Sequence, residues 1–285
     1  MTIVFVHVPK TAGSTLQSII YHLYEPNQIL RGYAAQTESH LEQQFKAFTS
    51  EQQLAIEVVF GHFPYGVCTW LTSQPCTYIT ILRNPVDRII SHYYFVRRAP
   101  GNYLYKTVMS QNMNLKEYVA SGISREMDNG QTRMLCGPAA TNIPFGECNT
   151  DMLHEAKRNL CDQFAVVGLT EDFDRSVILM KQMFGWKWPF YVAKNRTRHR
   201  PDRAHVAPET IQIIEEYNQL DIALYTYAGE LFRARIQQEG EAFEQEVRRF
   251  KSMNASMGKF YSHLNDAHLS LSKILKKIVS LGIAK

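Results

Sequence analysis

Two short segments of the chain carry residue types that bind anions. The first is KTAGST, residues 10–15, which follows an apolar run and precedes apolar residues at helical spacing, so it predicts strand, tight loop and helix. Backbone N–H groups at such a helix start lack helical partners and point, with the positive end of the helix dipole, into the loop. Lys10 adds a positive charge, Ser14 and Thr15 add hydroxyls, and Gly13 allows close approach of a ligand. We expect this loop to bind a phosphate or a sulfate ester.

The second segment centres on Arg83, which follows the apolar run 77–82. Asn84 is a favourable N-cap and Pro85 suits the first helical position, so a helix begins here. Ser91 lies about two turns after the cap, on the same face of that helix. Alone, the arginine could pair with a carboxylate and the serine could be solvated, but their spacing lets both reach one anion.

His62 is the candidate for proton transfer. It follows the apolar run 58–60 and Gly61, which places it at the carboxyl end of a predicted strand. Ligands of open α/β sheets bind at that edge. The residue could be a general base or a histidine with a structural role, and position alone does not decide between them.

The composition restricts the class of protein. With 285 residues and a net charge of +4, the chain can bury a large core, and nucleic-acid binding as the main role is disfavoured. No basic segment followed by an apolar stretch opens the sequence, and no window has the ~18 apolar residues of a membrane span, so we expect a cytoplasmic protein. Its five cysteines form no C-x-x-C pair and are expected to be reduced. They are Cys68, Cys76, Cys136, Cys148 and Cys161.

Four apolar runs separated by helical patterns predict an α/β fold with a domain over 1–235. Segment 25–57 is polar and predicts a loop with a short helix. One helix is expected from Thr170 to Gly185, and a long one begins at Pro208.

Beyond Gly240 the pattern weakens, which predicts a protruding arm within a helical C-terminal extension, 236–285. Its end, 269–285, is a basic amphipathic helix. We expect it to pack on its own domain or on a second subunit, as in a homo-oligomer; the alternative is an anionic membrane surface.

The motifs PKTAGST (9–15) and RNPVDRIIS (83–91), in this order, resemble those of carbohydrate O-sulfotransferases that use 3′-phosphoadenosine-5′-phosphosulfate (PAPS). The similarity is greatest to the heparan sulfate and uronyl 2-O-sulfotransferase group and covers roughly residues 3 to 230. FGH (60–62), SHYYFVRR (91–98) and the stretch 153–173 add to it. The resemblance implies a three-layer, P-loop-like fold with a central, mainly parallel sheet flanked by helices.

The resemblance also assigns roles to residues. His62 would be the catalytic base, and His7 would orient the loop. If a His62→Ala variant kept normal turnover, Glu25 or His92 would become the candidate for the base. Lys10 would stabilise the leaving phosphate, and no metal would be needed. The residues implied in nucleotide binding are Lys10, Thr11, Ala12, Gly13, Ser14 and Thr15 for the 5′-phosphosulfate, Arg83 and Ser91 for the 3′-phosphate, and Arg196 and Arg200 in a closing loop.

The acceptor would be a hydroxyl of a saccharide or a similar molecule. Arg97, Arg98 and Tyr94 are the expected contacts, because arginine and aromatic side chains suit a sugar that carries carboxylates or sulfates. Cys136 and Cys148 bracket the region where secretory relatives have a disulfide, and we expect them not to be bridged in a reducing cytoplasm.

Two other functions fit parts of the pattern. A nucleotide kinase or ATPase with a rearranged loop would require Mg²⁺, but the chain lacks the Gly-Lys-Ser/Thr order that positions the metal-binding hydroxyl. A non-catalytic nucleotide- or sugar-binding protein of the same fold would tolerate loss of Lys10 or His62, and both residues are present.

Overall fold

A computed structural model of the chain describes residues 1–32, 38–71, 74–192 and 203–280, with side chains up to residue 257 apart from 38–39. Within these ranges five strands form one sheet. The strands are β1 Thr2–Val6, β2 Ile29–Gly32, β3 Val58–Gly61, β4 Cys76–Leu82 and β5 Phe164–Leu169. The helices are α1 Gly13–Leu23, α2 Glu38–Lys46, α3 Ser50–Ala55, α4 Pro85–Val96, α5 Tyr105–Ser110, α6 Leu115–Ala120, α7 Gly130–Cys136, α8 Pro138–Asn142, α9 Thr150–Asp162, α10 Phe173–Phe184, α11 Pro208–Tyr217 and α12 Gln219–Ser280.

The sheet is parallel throughout, with strand order β2-β3-β1-β4-β5. All of β1 is buried, as expected for a strand covered by helices on both faces of a sheet. Because the strands are parallel, the segments that follow β1, β3 and β4 leave the same edge. The predicted α/β fold, a central parallel sheet flanked by helices, is confirmed.

The start of α4 is also as predicted. The Asn84 side-chain oxygen accepts a hydrogen bond from the Asp87 amide at 3.3 Å, and Pro85 occupies the first helical position. Cap and proline together fix where β4 ends and the helix begins.

Segment 25–57 contains more structure than its sequence predicted. It forms β2 and two helices, α2 and α3, where a loop and one short helix were expected. The strand has only four residues, too few for a periodic signal, and it depends on pairing with β3, where Leu30 lies beside Val59.

The long helix predicted from Pro208 is two helices, because Asn218 interrupts it. The Asn218 side-chain amide donates to the carbonyls of Met127 and Ile214, both at 2.8 Å, and its backbone leaves the helical region. A buried polar side chain satisfied in this way competes with the continuing helix.

The arm expected after Gly240 packs back onto the protein. Gly240 has φ 71°, which turns α12, and Phe243, Val247 and Phe250 beyond it are buried in the main core. Their spacing of four and three residues places them on one helical face. The division of the chain at residue 235 stays a prediction, but these three side chains share the core of the sheet domain.

One disulfide corrects the expectation of reduced thiols. Cys68 follows β3, Cys76 opens β4, and the two are bonded, with Cα atoms 6.1 Å apart. Cys136 and Cys148 are free. For the parts of the chain described, no helix has both the length and the apolarity to cross a bilayer.

Candidate active site

The loop after β1 is tightly wound. Lys10 and Ala12 have φ of 71° and 65°, a region that non-glycine residues rarely occupy and that is concentrated at functional sites. The Thr11 hydroxyl donates to the Val8 carbonyl at 2.8 Å, which closes the turn. The Thr15 amide donates to the Ala12 carbonyl at 2.9 Å. Of the backbone N–H groups at this helix start that were expected to lack partners, that of Thr15 has one.

Gly13 also makes room for a neighbouring side chain. A Cβ atom at this position would lie 1.8 Å from Nε2 of His7, so the absence of a side chain makes room for the imidazole. The His7 ring is buried and stacks on Phe5, with centroids 5.2 Å apart. Burial, and then the charges of His62 and Lys10, hold the pKa of His7 well below its usual value. Gly13 thus supports a neutral histidine under the loop.

His62 lies at the carboxyl end of β3 and is oriented by the backbone directly after β1. Its Nδ1 is 2.8 Å from the His7 carbonyl oxygen, and the two imidazole rings are 4.3 Å apart. Because a carbonyl only accepts hydrogen bonds, Nδ1 carries the proton, and Nε2 is the basic nitrogen of the neutral ring. The side chain keeps an exposed face although dense protein surrounds it.

The surroundings of His62 keep it neutral near pH 7. Desolvation lowers its pKa below the ordinary 6.5; the hydrogen bond to the His7 carbonyl and the charge of Glu126 act in the opposite direction. A neutral imidazole with one fixed tautomer is the form that accepts a proton.

Lys10 and Arg83 lie together. The Arg83 guanidinium donates to the Lys10 carbonyl at 3.1 Å, and the Lys10 ammonium lies 4.1 Å from the centre of the Phe95 ring. The sheet edge thus brings Lys10, Arg83 and His62 into one region, although Lys10 and Arg83 are more than 70 residues apart along the chain. Two cations beside a helix start can bind an anion that carries several charges.

Gln131 is a site residue that the sequence did not indicate. Its side chain accepts a hydrogen bond from the Arg83 amide at 3.1 Å and donates to the Arg83 carbonyl at 2.9 Å. Gln131 is fully buried at the start of α7, where Asp221 accepts hydrogen bonds from its amide and from that of Thr132. Ser91 is buried on α4, eight residues after Arg83. No periodicity or motif in the sequence marks Gln131 as the partner of the Arg83 backbone.

The residues expected to contact the acceptor lie at the end of α4. Arg97 and Arg98 are both exposed, and Arg97 donates to the Tyr93 hydroxyl at 2.8 Å and lies over its ring. Tyr94 is half-buried and contacts Tyr93 edge-to-face.

Arg196 and Arg200 lie outside the described residues. In the ranges that are described, no group of three or more histidine, cysteine, aspartate or glutamate side chains could hold a metal ion.

Comparisons with known proteins identify the class. A family model described as "Galactose-3-O-sulfotransferase" matches residues 1–274. Human heparan sulfate 2-O-sulfotransferase 1 is 26% identical over 265 residues, 82% of this chain and 71% of the relative. Human heparan-sulfate 6-O-sulfotransferase 1 is 30% identical over 203 residues, 62% of this chain and 48% of the relative.

A solved structure described as mouse sulfotransferase SULT7A1 complexed with PAP aligns with a TM-score of 0.36 at 13% identity. The alignment covers 78% of this chain and 64% of that one. So weak a superposition adds nothing to the family match.

The match over nearly the whole chain defines an enzyme of the carbohydrate sulfotransferase class, which confirms the resemblance found in the motifs. Within that class, the chain belongs to the galactose-3-O-sulfotransferase family and is similar to the heparan sulfate 2-O-sulfotransferases. The kinase and the non-catalytic alternatives have no support from these matches.

The predicted cytoplasmic location is wrong. The relatives are heparan sulfate sulfotransferases, which are enzymes of the Golgi lumen. The expectation rested on the absence of a leader pattern and of an apolar window long enough to span a membrane, and neither observation fixes a compartment.

Proposed function

We propose that this enzyme transfers a sulfuryl group from PAPS to a hydroxyl of a saccharide. The observation that carries the proposal is the orientation of His62: its Nδ1 proton is directed to the His7 carbonyl, 2.8 Å away, so Nε2 is the nitrogen that can accept a proton. The same carbonyl lies directly after β1, in the segment that leads into the Lys10 loop.

The donor would be held by its two anionic ends. Lys10 and the loop amides suit the 5′-phosphosulfate, with Thr11, Ala12, Gly13, Ser14 and Thr15 as the loop residues. Arg83 and Ser91 suit the 3′-phosphate, and Arg196 and Arg200 are proposed to close over the nucleotide. The contact between Arg83 and the Lys10 backbone supports a single ligand, since it keeps the two anion-binding groups within one region.

The chemistry follows from these positions. The acceptor oxygen forms the new bond to sulfur while the bond between sulfur and the phosphate oxygen breaks, and the hydroxyl proton passes to Nε2 of His62. Negative charge grows on the departing phosphate, where Lys10 and the loop amides stabilise it. In-line geometry requires donor and acceptor on opposite sides of the sulfur. No metal takes part in this scheme.

The acceptor is proposed to be a saccharide, as the names of the relatives suggest for those enzymes. Arg98, Arg97 and Tyr94 at the end of α4 are the proposed contacts. Arginine can bind carboxylates or sulfates of the sugar with two parallel hydrogen bonds.

Calorimetry with 3′-phosphoadenosine-5′-phosphate (PAP) and transfer of ³⁵S from labelled PAPS to a panel of polysaccharides test the proposal. We expect tight PAP binding without Mg²⁺, transfer to at least one polysaccharide, and no transfer by His62→Ala with PAP binding retained. Lys10→Ala should weaken both PAP binding and sulfuryl transfer. A preference for ATP with a Mg²⁺ requirement would contradict the proposal, and normal turnover by His62→Ala would move the base to His92 or Glu25.

A further inference from the structure

The ammonium end of Lys10 lies against an aromatic ring of α4. Its nitrogen is 4.1 Å from the centre of the Phe95 ring and lies over the face of that ring. The face of an aromatic ring carries the negative part of its quadrupole and therefore attracts a cation. Both side chains are half-buried, at the boundary between core and solvent. The contact is thus a direct one between a proposed donor-binding residue and a residue with no role assigned so far.

The backbone end of Lys10 is fixed as well. Its carbonyl accepts a hydrogen bond from the Arg83 guanidinium at 3.1 Å, and its φ of 71° belongs to the tightly wound loop after β1. A lysine side chain has a long flexible stem, and it loses rotamer freedom when a ligand orders it. Because Lys10 is held at both ends, part of that loss has already occurred before a ligand binds.

The helix that carries Phe95 is firmly anchored on both sides of the ring. Val96, the next residue, is fully buried, and the Tyr93 hydroxyl donates to the Met113 carbonyl at 2.8 Å. Ser91 precedes Phe95 by four residues, so the two side chains lie on the same face of α4. One helix face therefore carries both the serine proposed for the 3′-phosphate and the ring that contacts Lys10.

An aromatic ring suits a lysine that must bind an anion. A carboxylate in the place of the Phe95 ring would also hold the ammonium, but it would neutralise the charge and repel a phosphate. The ring carries no net charge, so it attracts the ammonium and leaves the positive charge of Lys10 available to a ligand. Phe95 can thus orient Lys10 without competing for its function.

We propose that Phe95 is a positioning residue that holds the Lys10 ammonium in place for the 5′-phosphosulfate of the donor. The inference deepens the proposed function, on which it rests. The ring acts only through the lysine and has no contact of its own with the reacting atoms. Negative charge that grows on the departing phosphate then meets a cation that is already in position.

The first test measures the contact itself by NMR and needs no nucleotide. A ring current shifts the protons of a nearby methylene, so the Cε protons of Lys10, assigned with Lys10→Arg, should resonate upfield of the other lysines. We expect this shift to disappear in Phe95→Leu and to remain in Phe95→Tyr. Phe145→Leu, the control, removes a half-buried ring that contacts Tyr217 and should leave the shift unchanged. Absence of the shift in the wild type would overturn the inference.

The second test measures PAP affinity by calorimetry and kcat/KM for PAPS by transfer of ³⁵S. Both should fall about tenfold in Phe95→Leu, within the range of cation–π energies, and Phe95→Tyr should restore most of the loss. Phe145→Leu should have neither effect. A higher PAP affinity in Phe95→Leu would overturn the inference, because the ring would then hold the lysine away from the ligand.

A fluorinated series at position 95 separates the cation–π contact from packing and covers the case in which Phe95→Leu does not fold. Mono-, di- and trifluorinated phenylalanine keep the ring nearly the same size while they withdraw electron density from its face. PAP affinity should fall stepwise with each fluorine at an unchanged unfolding midpoint, and an unchanged affinity would overturn the inference. A wild-type protein that does not bind PAP would instead contradict the proposed function, while the NMR shift would still report on the contact.

Discussion

His62 combines an exposed face, a fixed tautomer and a lowered pKa. Desolvation is the largest influence on that pKa, and the backbone hydrogen bond only partly compensates it. A base of this kind is already deprotonated in most molecules at neutral pH. His62 can therefore act as a base over a broad pH range above its own pKa.

The first prediction concerns the pH dependence of turnover. The rate needs neutral His62, so kcat/KM should rise with pH through a limb whose midpoint lies below about 6.5, because the pKa of His62 is lowered. The measurement is kcat/KM from pH 4.5 to 8, with His154→Ala, an exposed histidine on α9, as the control. A midpoint above the ordinary histidine value would contradict the role of His62.

The second prediction concerns Gly13. Gly13→Ala should destabilise the protein by about 1–3 kcal/mol and weaken PAP binding, because its Cβ would overlap a buried ring that cannot move away. Gly101→Ala is the control, since nothing lies within 4 Å of the atom it adds. Unfolding free energies and calorimetry are the measurements.

A double-mutant cycle separates the two explanations for Gly13. If His7 is the reason, His7→Ala should remove most of the stability cost of Gly13→Ala. Additive effects of the two changes would indicate that the glycine serves ligand approach, as the sequence alone suggested.

At the scale of elements, the edge of the parallel sheet brings the site residues together, and Gln131 of α7 supports the backbone of Arg83. We call this contact the brace. β1, β3 and β4 deliver Lys10, His62 and Arg83 to one edge, and this much follows from three apolar runs and the loops behind them. The brace does not follow from the sequence. Gln131 contacts Arg83 across 48 residues, and Asp221 in turn holds α7 across 90.

The third prediction tests this brace. Gln131→Leu should lower PAP affinity about tenfold while most of the stability remains, because the Arg83 amide and carbonyl lose their partners and the guanidinium loses its position. Gln111→Leu, at the exposed end of α5, is the control. An unchanged dissociation constant in calorimetry would show that Arg83 does not depend on Gln131 for binding.

Three structural features that the sequence analysis missed have a common physical cause. β2, the break at Asn218 and the brace at Gln131 all depend on partners that are distant in sequence, whereas periodicity and caps report only local preference. Predictions that rested on local chemistry, such as the start of α4 at Asn84 and Pro85, were confirmed.

At the scale of the whole molecule, the segment beyond Gly240 completes the core. Phe250 is fully buried and stacks near Trp188 and Phe190, with ring centroids 6.2 Å from each. Ion pairs from Glu244 to Arg175 and from Glu246 to Lys181 fix the same segment to α10. The weak apolar pattern of this segment wrongly predicted a protruding arm. Three fully buried side chains on one helical face are enough to pack the segment against the core.

The fourth prediction follows from that packing. Phe250→Ala should reduce the free energy of unfolding by about 3–5 kcal/mol, the range for removing a buried aromatic ring. Met257→Ala, whose side chain is 38% exposed, should cost well under half as much. Urea titration measures both, and equal small effects would mean that the segment is an appendage.

The hydrogen bond between His62 and the carbonyl of His7 has a consequence for engineering. Side-chain partners that orient a histidine can be exchanged by mutation, but this acceptor is the main-chain oxygen of His7, the residue directly after β1. Substituting His7 changes the ring beneath the loop and leaves that oxygen where it was. The backbone position next to β1 therefore determines which imidazole nitrogen faces the acceptor hydroxyl, and exchange of a side chain at residue 7 leaves that choice in place.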